Sequence, residues 1–265
     1  MSEGYHHLLA EVIDTALKAG HEILQVYNAG FHVEFKNDSS PLTEADKSSH
    51  KVIQERLKNY FPVLSEEGKT IPFEERKNWN PFWMVDPLDG TKEFIKRNGE
   101  FTVNIALVEN QIPVLGVVYA PALNKIYFGE KSKGSFKAKW NQGGEINAED
   151  IIRSAVSLPI NQNGRKFTVV ASRSHLSSET EKFIDDLKNE HGDIEFKSSG
   201  SSLKLCLVAE GAADVYPRLA PTMEWDTAAG QAVVMYAGKA VLNYHSGKLM
   251  QYNKPDLLNE WFVVK

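Results

Sequence analysis

The stretch that most constrains this chain is an apolar run that ends abruptly at a carboxylate. Residues 82–85 are typical of a short buried strand. Pro87 fixes its own φ and has no N–H to donate, so the strand is predicted to stop at Asp86. Gly90 then permits a tight turn, and Thr91 begins the next element. The segment therefore predicts a strand end whose polar groups are gathered by a turn.

Two carboxylates lie three residues apart on this turn. Asp86, Asp89 and the backbone carbonyl of Leu88 can direct their oxygens at one point. Hard divalent cations such as Mg²⁺ prefer oxygen ligands of this kind. Asp-Pro and Asp-Gly pairs are also common in solvated surface turns, so this stretch alone leaves both interpretations open.

Composition narrows the class of protein. A chain of 265 residues with 42% hydrophobic and 25% charged residues is typical of one large globular domain or two closely packed halves. The lone Cys206 excludes an intramolecular disulfide and a cysteine metal site. A formal net charge of −5 argues against binding long nucleic acids. We find no leader and no apolar run that could span a bilayer, which predicts a cytoplasmic protein and leaves peripheral association with the inner membrane open.

Hydrophobic periodicity predicts an α+β half, residues 1–150, followed by an α/β half, residues 151–265, in one compact catalytic unit. In the first half we expect helices over 5–28 and 44–60 and strands over 31–35, 63–64, 82–85, 101–108, 114–120, 125–128 and 134–140. In the second half we expect helices over 179–191, 203–210 and 227–236 and strands over 167–171, 194–197, 215–216, 240–243 and 261–264. The polar stretches 69–81 and 141–150 are predicted to be irregular.

Acidic residues recur where predicted strands end and predicted helices begin. They are Asp46, Glu66, Glu67, Asp86, Asp89 and Asp226. Each one alone is also explained as a solvated acid or a helix cap, and capping is a strong alternative for Asp226. Gathered without cations, these carboxylates would repel one another, and some would stay protonated. Divalent ions make such a cluster tolerable, so the sequence predicts a site for several metal ions.

Three motifs resemble the signatures of the inositol monophosphatase superfamily. They are Ser65-Glu66-Glu67, Asp86-Pro87-Leu88-Asp89-Gly90-Thr91 and Glu224-Trp225-Asp226-Thr227-Ala228-Ala229-Gly230. Members are Mg²⁺-dependent, Li⁺-sensitive phosphatases, and the resemblance implies their layered αβαβα fold. Segments 94–107, 171–175, 200–204 and 216–222 further resemble bacterial 3′(2′),5′-bisphosphate nucleotidases of the CysQ type. Those enzymes convert 3′-phosphoadenosine 5′-phosphate to AMP and thereby clear a by-product of sulfate assimilation.

The resemblance implies a set of metal ligands. A first Mg²⁺ would be held by Glu66, Asp86 and the carbonyl of Leu88. A second would be held by Asp86, Asp89 and Asp226, and a third, if present, would use Glu66. One ion would acidify a water while the other stabilised the leaving oxygen.

The resemblance also implies which residues act on the attacking water. Asp46 and Thr91 would orient and deprotonate it for direct in-line attack without a phospho-enzyme. Glu67 would position Glu66 or a metal-bound water. For Asp46 the alternative is an ordinary acid in the first turn of a helix.

Substrate contacts are implied on the other side of the site. The amides of Gly90 and Thr91 would bind the phosphate, and Lys204 and Arg218 would pair with the 5′-phosphate. Further predicted contacts are Ser174, His175, Ser201, Ser202 and Asp226. The alternative for each of these residues is a structural role, for example a serine that caps a helix or a lysine exposed to solvent on a helix. Two alternative functions stay open: an inositol or fructose-bisphosphate phosphatase, and a non-catalytic nucleotide- or metal-binding protein. The sequence is compatible with either a monomer or a homodimer.

Overall fold

Helices and strands alternate along most of the chain. The computed structural model describes residues 5–30, 33–35, 41–140, 147–160, 164–171 and 177–265. The helices are α1 (His6–Ala29), α2 (Glu44–Leu57), α3 (Phe73–Arg76), α4 (Thr91–Ile95), α5 (Ala148–Ser154), α6 (Ser178–His191), α7 (Leu203–Ala209) and α8 (Glu224–Tyr236). The strands are β1 (Val33–Phe35), β2 (Pro41–Thr43), β3 (Val63–Ser65), β4 (Phe82–Asp89), β5 (Thr102–Glu109), β6 (Ile112–Ala120), β7 (Lys125–Glu130), β8 (Gly134–Lys139), β9 (Val156–Ser157), β10 (Thr168–Ala171), β11 (Glu195–Ser198), β12 (Tyr216–Arg218), β13 (Val241–Asn243) and β14 (Phe262–Val264).

The central element is a mixed sheet, seven-stranded within the described ranges, whose strands β3 to β9 lie side by side in chain order. Strands β3 and β4 are parallel, whereas β4 to β9 form an antiparallel meander. Asn110 and Gln111, with φ of 50° and 65°, close the hairpin between β5 and β6. Short connections join β5 to β8, whereas α4 lies in the connection from β4 to β5 and α5 in the connection from β8 to β9.

Both faces of this sheet are buried. Alternate side chains of β4, such as Trp83 and Val85, pack with α1 and α2 on one face. The intervening Phe82 and Met84 pack with α7 and α8 on the other face. Because side chains alternate across a strand, a continuous apolar run such as 82–85 is expected when both faces are covered.

A second β layer lies beyond α7 and α8. It contains the antiparallel order β12–β14–β13 and the parallel pair β10–β11, linked by a bridge between Val169 and Val215. Helix α6 covers its outer side, where Ile184 packs with Val169 and Val263 in a third apolar cluster. The order of layers is therefore helix, sheet, helix, sheet, helix, and the predicted αβαβα fold is confirmed.

Several local predictions were wrong. Strand β4 continues through Pro87 to Asp89, because a register shift after Asp86 forms a bulge where a missing N–H is tolerated. Short helices α3 and α5 occupy parts of the stretches predicted to be irregular. Asn147 caps α5 through bonds from the backbone N–H groups of Glu149 and Asp150, while residues 141–146 lie outside the described ranges. Among the described helices, none combines the length and the apolar character needed to cross a membrane.

Helix α8 lies directly against the central sheet because glycine removes the side chains between them. A Cβ placed on Gly116 would lie 2.5 Å from the carbonyl oxygen of Ala229 and 2.7 Å from the Cβ of Ala232. These contacts involve helix backbone, which cannot move aside as a flexible side chain does.

We expect Gly116→Ala to lower the free energy of unfolding by about 1–3 kcal/mol through overpacking. The measurement is urea unfolding of wild type and variant. Val156→Ala, on a strand residue that is 55% exposed, is the control and should change stability by less than about 0.5 kcal/mol. A Gly116→Ala variant as stable as the control variant would contradict the close approach of α8 to the sheet.

Candidate functional site

Three carboxylates meet at the edge where β3 and β4 end. Ligand oxygens of Glu66, Asp86 and Asp226 all lie within 4.8 Å of one another. Parallel pairing of β3 with β4, continued by the bond from Glu66 N–H to the Val85 carbonyl (3.1 Å), places Glu66 beside Asp86. Helix α8 packs across the sheet and brings the third carboxylate in its first turn. We call these three residues the acidic triad.

The triad concentrates negative charge inside the protein. Asp86 is 1% exposed, and burial, together with Glu66, Asp89 and Asp226, raises the pKa of its carboxyl well above the ordinary value. Burial and the neighbouring Asp89 also raise the pKa of Asp226. Among the described residues no salt bridge joins Asp86 or Asp226 to a lysine or arginine, although the charge of Arg218 partly offsets the rise in the pKa of Asp226. An all-oxygen donor set of this charge fits a hard divalent cation.

Asp226 takes part in the start of α8 as well as in the triad. The helix begins at Glu224, three residues before the predicted start, so Asp226 is its third residue and Met223 is the N-cap. The backbone N–H of Met223 donates to Asp226 Oδ2 at 2.8 Å. The capping alternative thus describes a real bond, but from inside the first turn rather than from the cap position.

Asp89 is held beside the triad by the N-terminal end of α7. Its Oδ2 accepts the hydroxyls of Ser201 (2.6 Å) and Ser202 (2.9 Å), the backbone N–H of Ser202 (2.7 Å) and the amide of Asn104 (3.4 Å). The Ser202 hydroxyl also lies 2.7 Å from the Asp226 carbonyl and so links Asp89 to α8. Ser202, a predicted substrate contact, is 1% exposed and is engaged by the protein itself. All four bonds converge on one oxygen, which fixes the orientation of the carboxylate.

Two buried polar residues of β5 complete this support, and sequence reasoning assigned them no role. The Asn104 amide donates to the Ser202 hydroxyl at 2.8 Å, and the Thr102 hydroxyl donates to Asn104 Oδ1 at 3.0 Å. Thr102 also shares a short hydrogen bond with Ser201. Thr102 and Asn104 are 0% and 1% exposed. Polar residues at alternate positions of an apolar strand were the available signal.

Asp46 and Thr91 meet as predicted for a water-orienting pair. The Thr91 hydroxyl donates to Asp46 Oδ1 at 3.3 Å and lies 3.4 Å from the Leu88 carbonyl. The other oxygen of Asp46 accepts the N–H (2.7 Å) and hydroxyl (2.6 Å) of Thr43, which begins α2. Capping and contact with Thr91 therefore use different oxygens of one carboxylate.

The turns around these residues are anchored by α2. The Ser49 hydroxyl donates to the Pro87 carbonyl at 2.7 Å. His50 Nδ1 lies 2.9 Å from the Ser65 hydroxyl, and its pKa is lowered by burial, while nearby Glu67 opposes that shift. Gly90, with φ of 90°, adopts the left-handed conformation that lets β4 turn into α4.

A cavity of about 430 Å³ opens beside the acidic residues. Its lining includes the acids Asp89 and Asp226 and the cations Lys204 and Arg218. Lys204 Nζ donates to the carbonyls of Ser201 (2.8 Å) and Ser199 (3.3 Å), and burial lowers the pKa of Lys204.

Arg218 is less completely satisfied by the protein. Its Nη2 donates to the Pro221 carbonyl at 2.9 Å, but the buried Nε has no hydrogen-bond partner among the described residues. A buried orphan donor on a cavity wall is suited to an anionic ligand. Ser174 and His175, the predicted pocket residues, lie outside the described ranges.

The arrangement can be compared with known proteins. The inositol monophosphatase family matches residues 5–263. The 3′(2′),5′-bisphosphate nucleotidase CysQ of Salmonella typhimurium strain LT2 is 44% identical over 263 residues, covering 97% of this chain and 99% of that protein. The Escherichia coli K12 protein of the same name is 43% identical with the same coverage.

Solved structures agree. CysQ from Bacteroides thetaiotaomicron, described as a bacterial member of the inositol monophosphatase family, superposes with a TM-score of 0.89 at 50% identity and covers 98% of both chains. An inositol monophosphatase from Thermotoga maritima superposes with a TM-score of 0.74 at 24% identity, which supports the fold alone. On the match across residues 5–263 and these identities, the chain belongs to the inositol monophosphatase family.

Proposed function

We propose that this protein is a Mg²⁺-dependent 3′(2′),5′-bisphosphate nucleotidase that converts 3′-phosphoadenosine 5′-phosphate to AMP and phosphate. The observation that carries the proposal is the acidic triad, whose Asp226 lines a cavity that Lys204 and Arg218 also line. Carboxylates suit metal-assisted attack on one phosphate, and the cations suit a second phosphate. The nucleotidase relatives at 43–44% identity support the same activity.

The family is metal-dependent, and the donor set fits Mg²⁺. We assign Glu66, Asp86 and the Leu88 carbonyl to one ion, and Asp86, Asp89 and Asp226 to another. A third ion would use Glu66. When bound, the ions acidify the attacking water and stabilise charge on the leaving oxygen. Glu67 is proposed to position Glu66.

Asp46 and Thr91 are proposed to orient and deprotonate the attacking water. The Thr91 hydroxyl donates a hydrogen bond to Asp46 Oδ1 (3.3 Å), so its lone pairs are left to accept a hydrogen bond from water. As the water gave its proton to Thr91, the hydroxyl proton of Thr91 would pass to Asp46. Thr43 holds Oδ2 of Asp46, which presets the direction of Oδ1. The pair can therefore align the water and take up its proton without moving.

The substrate is proposed to occupy the cavity that Asp89, Asp226, Lys204 and Arg218 line. The amides of Gly90 and Thr91 would bind the 3′-phosphate, and Arg218 with Lys204 would bind the 5′-phosphate. The buried Nε of Arg218 gains a partner in this arrangement. Ser201 lines the same cavity, and a direct contact from Ser201 to substrate stays a prediction, as do those from Ser174 and His175.

We also propose that residues 1–150 and 151–265 act as one catalytic unit. Asp226 from the second half lies within 4.8 Å of Glu66 and Asp86 from the first, so neither half holds the whole triad. A cytoplasmic location is part of the same proposal, because both substrate and product are small intracellular nucleotides.

The activity is tested with a substrate panel in the presence and absence of Mg²⁺. Wild type should release phosphate from adenosine 3′,5′-bisphosphate faster than from 3′-AMP, inositol 1-phosphate or fructose 1,6-bisphosphate, and only with Mg²⁺. Faster turnover of inositol 1-phosphate or fructose 1,6-bisphosphate would assign the site to a phosphatase of that class. No turnover of any of them, with Mg²⁺ bound, would indicate a binding protein.

Arg218→Ala makes the same panel a test of the second phosphate site. Losing a charge-assisted hydrogen bond worth about 1.5–3 kcal/mol should lower kcat/KM for adenosine 3′,5′-bisphosphate about tenfold to a hundredfold. The value for 3′-AMP, which lacks the 5′-phosphate, should hardly change. Because both substrates use the same metal site, the comparison cancels general damage. Equal losses on both would make Arg218 structural.

Thr91→Ala tests the water-orienting pair. We expect kcat to fall about a hundredfold or more while KM changes little, because orientation of the nucleophile matters mainly in the transition state. Thr91→Ser keeps the hydroxyl and is the matched control, which should retain most activity. Steady-state kinetics on both variants provide the measurement. An effect confined to KM would instead identify Thr91 as a substrate-binding residue.

A further inference from the structure

A further buried carboxylate, that of Glu224, lies two residues before Asp226 and outside the site described above. Glu224 is the first residue of α8 and is fully buried. One of its oxygens accepts the N–H of Asn253 (2.6 Å), and the other accepts the N–H of Lys254 (3.0 Å) and the Lys254 ammonium. A carboxylate with three donors, one of them charged, is a strong anchor in a buried setting.

The segment that supplies these donors also binds the rest of the first turn of α8. The N–H of Glu224 donates to the Leu257 carbonyl at 2.9 Å. The Asn259 amide donates to the Met223 carbonyl (2.8 Å) and to the Thr227 hydroxyl (3.0 Å). Residues 253–259 therefore hold α8 on both sides of Glu224.

This segment is in turn fixed to the N-terminal half. Arg76 of α3, 2% exposed, donates from Nη1 to Asn253 Oδ1 at 2.7 Å, and the Asn253 amide returns a bond of 2.9 Å to the Arg76 carbonyl. Asn253 adopts the left-handed conformation, with φ of 65°, which Asn tolerates better than most residues. A continuous set of bonds thus runs from Arg76 through Asn253 and Glu224 to the start of α8.

The start of α8 needs this anchor because its own capping is weak. Helices usually begin with Ser, Thr, Asp or Asn, whose side-chain oxygens accept a backbone N–H, whereas Met223 offers only a thioether sulfur, which is a weak acceptor. The strong capping bond is the one that Asp226 accepts from the Met223 N–H. A carboxylate that also serves as a metal ligand is fixed in direction only if the turn that carries it is fixed by other groups.

We infer that Glu224 is a positioning residue of the metal site, which acts through the first turn of α8 to set the direction of the Asp226 carboxylate. This inference rests on the proposed function. Its expected consequence is selective: loss of the anchor weakens metal binding, whereas substrate affinity at saturating metal stays the same, because Glu224 does not line the substrate cavity. A residue that only stabilised the fold would lower stability without changing metal affinity.

The chain offers a matched control. Glu210 is another buried glutamate, 7% exposed, that accepts the Tyr127 hydroxyl (2.9 Å) and the Lys137 ammonium at the far end of α7. Glu210→Gln and Glu224→Gln each remove the negative charge that faces a lysine ammonium, and Glu224→Gln also places an amide group where both carboxylate oxygens accept hydrogen bonds. Both should lower the melting temperature in the absence of metal.

The test is calorimetric titration of Mg²⁺ into wild type, Glu224→Gln and Glu210→Gln, followed by kinetics at rising Mg²⁺. Glu224→Gln should bind Mg²⁺ about tenfold more weakly, as expected for residues that orient metal ligands. Added Mg²⁺ should restore its kcat, and its KM for adenosine 3′,5′-bisphosphate should match wild type. Glu210→Gln should bind Mg²⁺ like wild type.

Equal Mg²⁺ affinity of Glu224→Gln and wild type would overturn the inference, and so would an equal loss of affinity in Glu210→Gln.

If Glu224→Gln does not fold, the Mg²⁺ affinity of Lys254→Met tests the inference instead. It removes the ammonium contact but keeps the two N–H donors, and it should weaken Mg²⁺ binding to a smaller extent, whereas unchanged affinity would overturn the inference. If the wild type does not bind Mg²⁺, both the proposed function and the inference are overturned. If the wild type binds Mg²⁺ tightly and Glu224→Gln binds it equally well, only the inference about Glu224 is overturned.

Discussion

Repulsion among the carboxylates gathered around the buried Asp86 is the interaction on which this site depends. Asp86 is 1% exposed, and its burial, together with the neighbouring Glu66, Asp89 and Asp226, raises the pKa of its carboxyl. Such a cluster destabilises a fold unless protons or cations compensate it. Hydrogen-bond donors fix the direction of two of these carboxylates: Ser201 and Ser202 donate to Asp89, and the Met223 N–H donates to Asp226. The geometry of such a carboxylate cluster is suited to binding divalent cations.

The layered architecture makes that geometry possible. Strands β3 and β4 present Glu66 and Asp86 at one sheet edge, and α8 crosses from the second half of the chain to add Asp226. Close contact of α8 with the sheet requires glycine at Gly116, where a Cβ would meet helix backbone. Stability and function are therefore linked through α8, because this helix packs against the central sheet and also carries Asp226 of the acidic triad.

Much of the fold and of the acidic set follows from the sequence. Local hydrophobic patterns are strong in α1, α6 and the β5–β6 hairpin, and these elements were placed within a few residues. The acidic triad could be anticipated because its members lie in short motifs at strand ends and at a helix start. Bonds within one turn, such as that of Asp46 to Thr43, are also local enough to expect.

The remaining features depend on contacts between distant residues. Arg76 and Asn253 are 177 positions apart, and no local pattern predicts that an arginine in a polar stretch is buried against that asparagine. Asn104 and Ser202 likewise meet only when β5 and α7 pack. Ser202 illustrates the consequence: its substrate contact stays a prediction, and its hydroxyl's contacts with Asp89 and the Asp226 carbonyl were not anticipated from the sequence. The passage of β4 through Pro87 required a bulge that the sequence does not mark.

The central claim, that the buried acids form a metal centre, is tested most directly by anomalous diffraction from crystals soaked in Mn²⁺, a stand-in for Mg²⁺ with detectable scattering. We expect anomalous peaks among Glu66, Asp86 and Asp226, with oxygen contacts of about 2.1 Å, and a further peak at Asp89 if two ions bind together. Crystals that show no anomalous peak at the acidic triad, under conditions in which Mn²⁺ supports turnover in solution, would contradict the account.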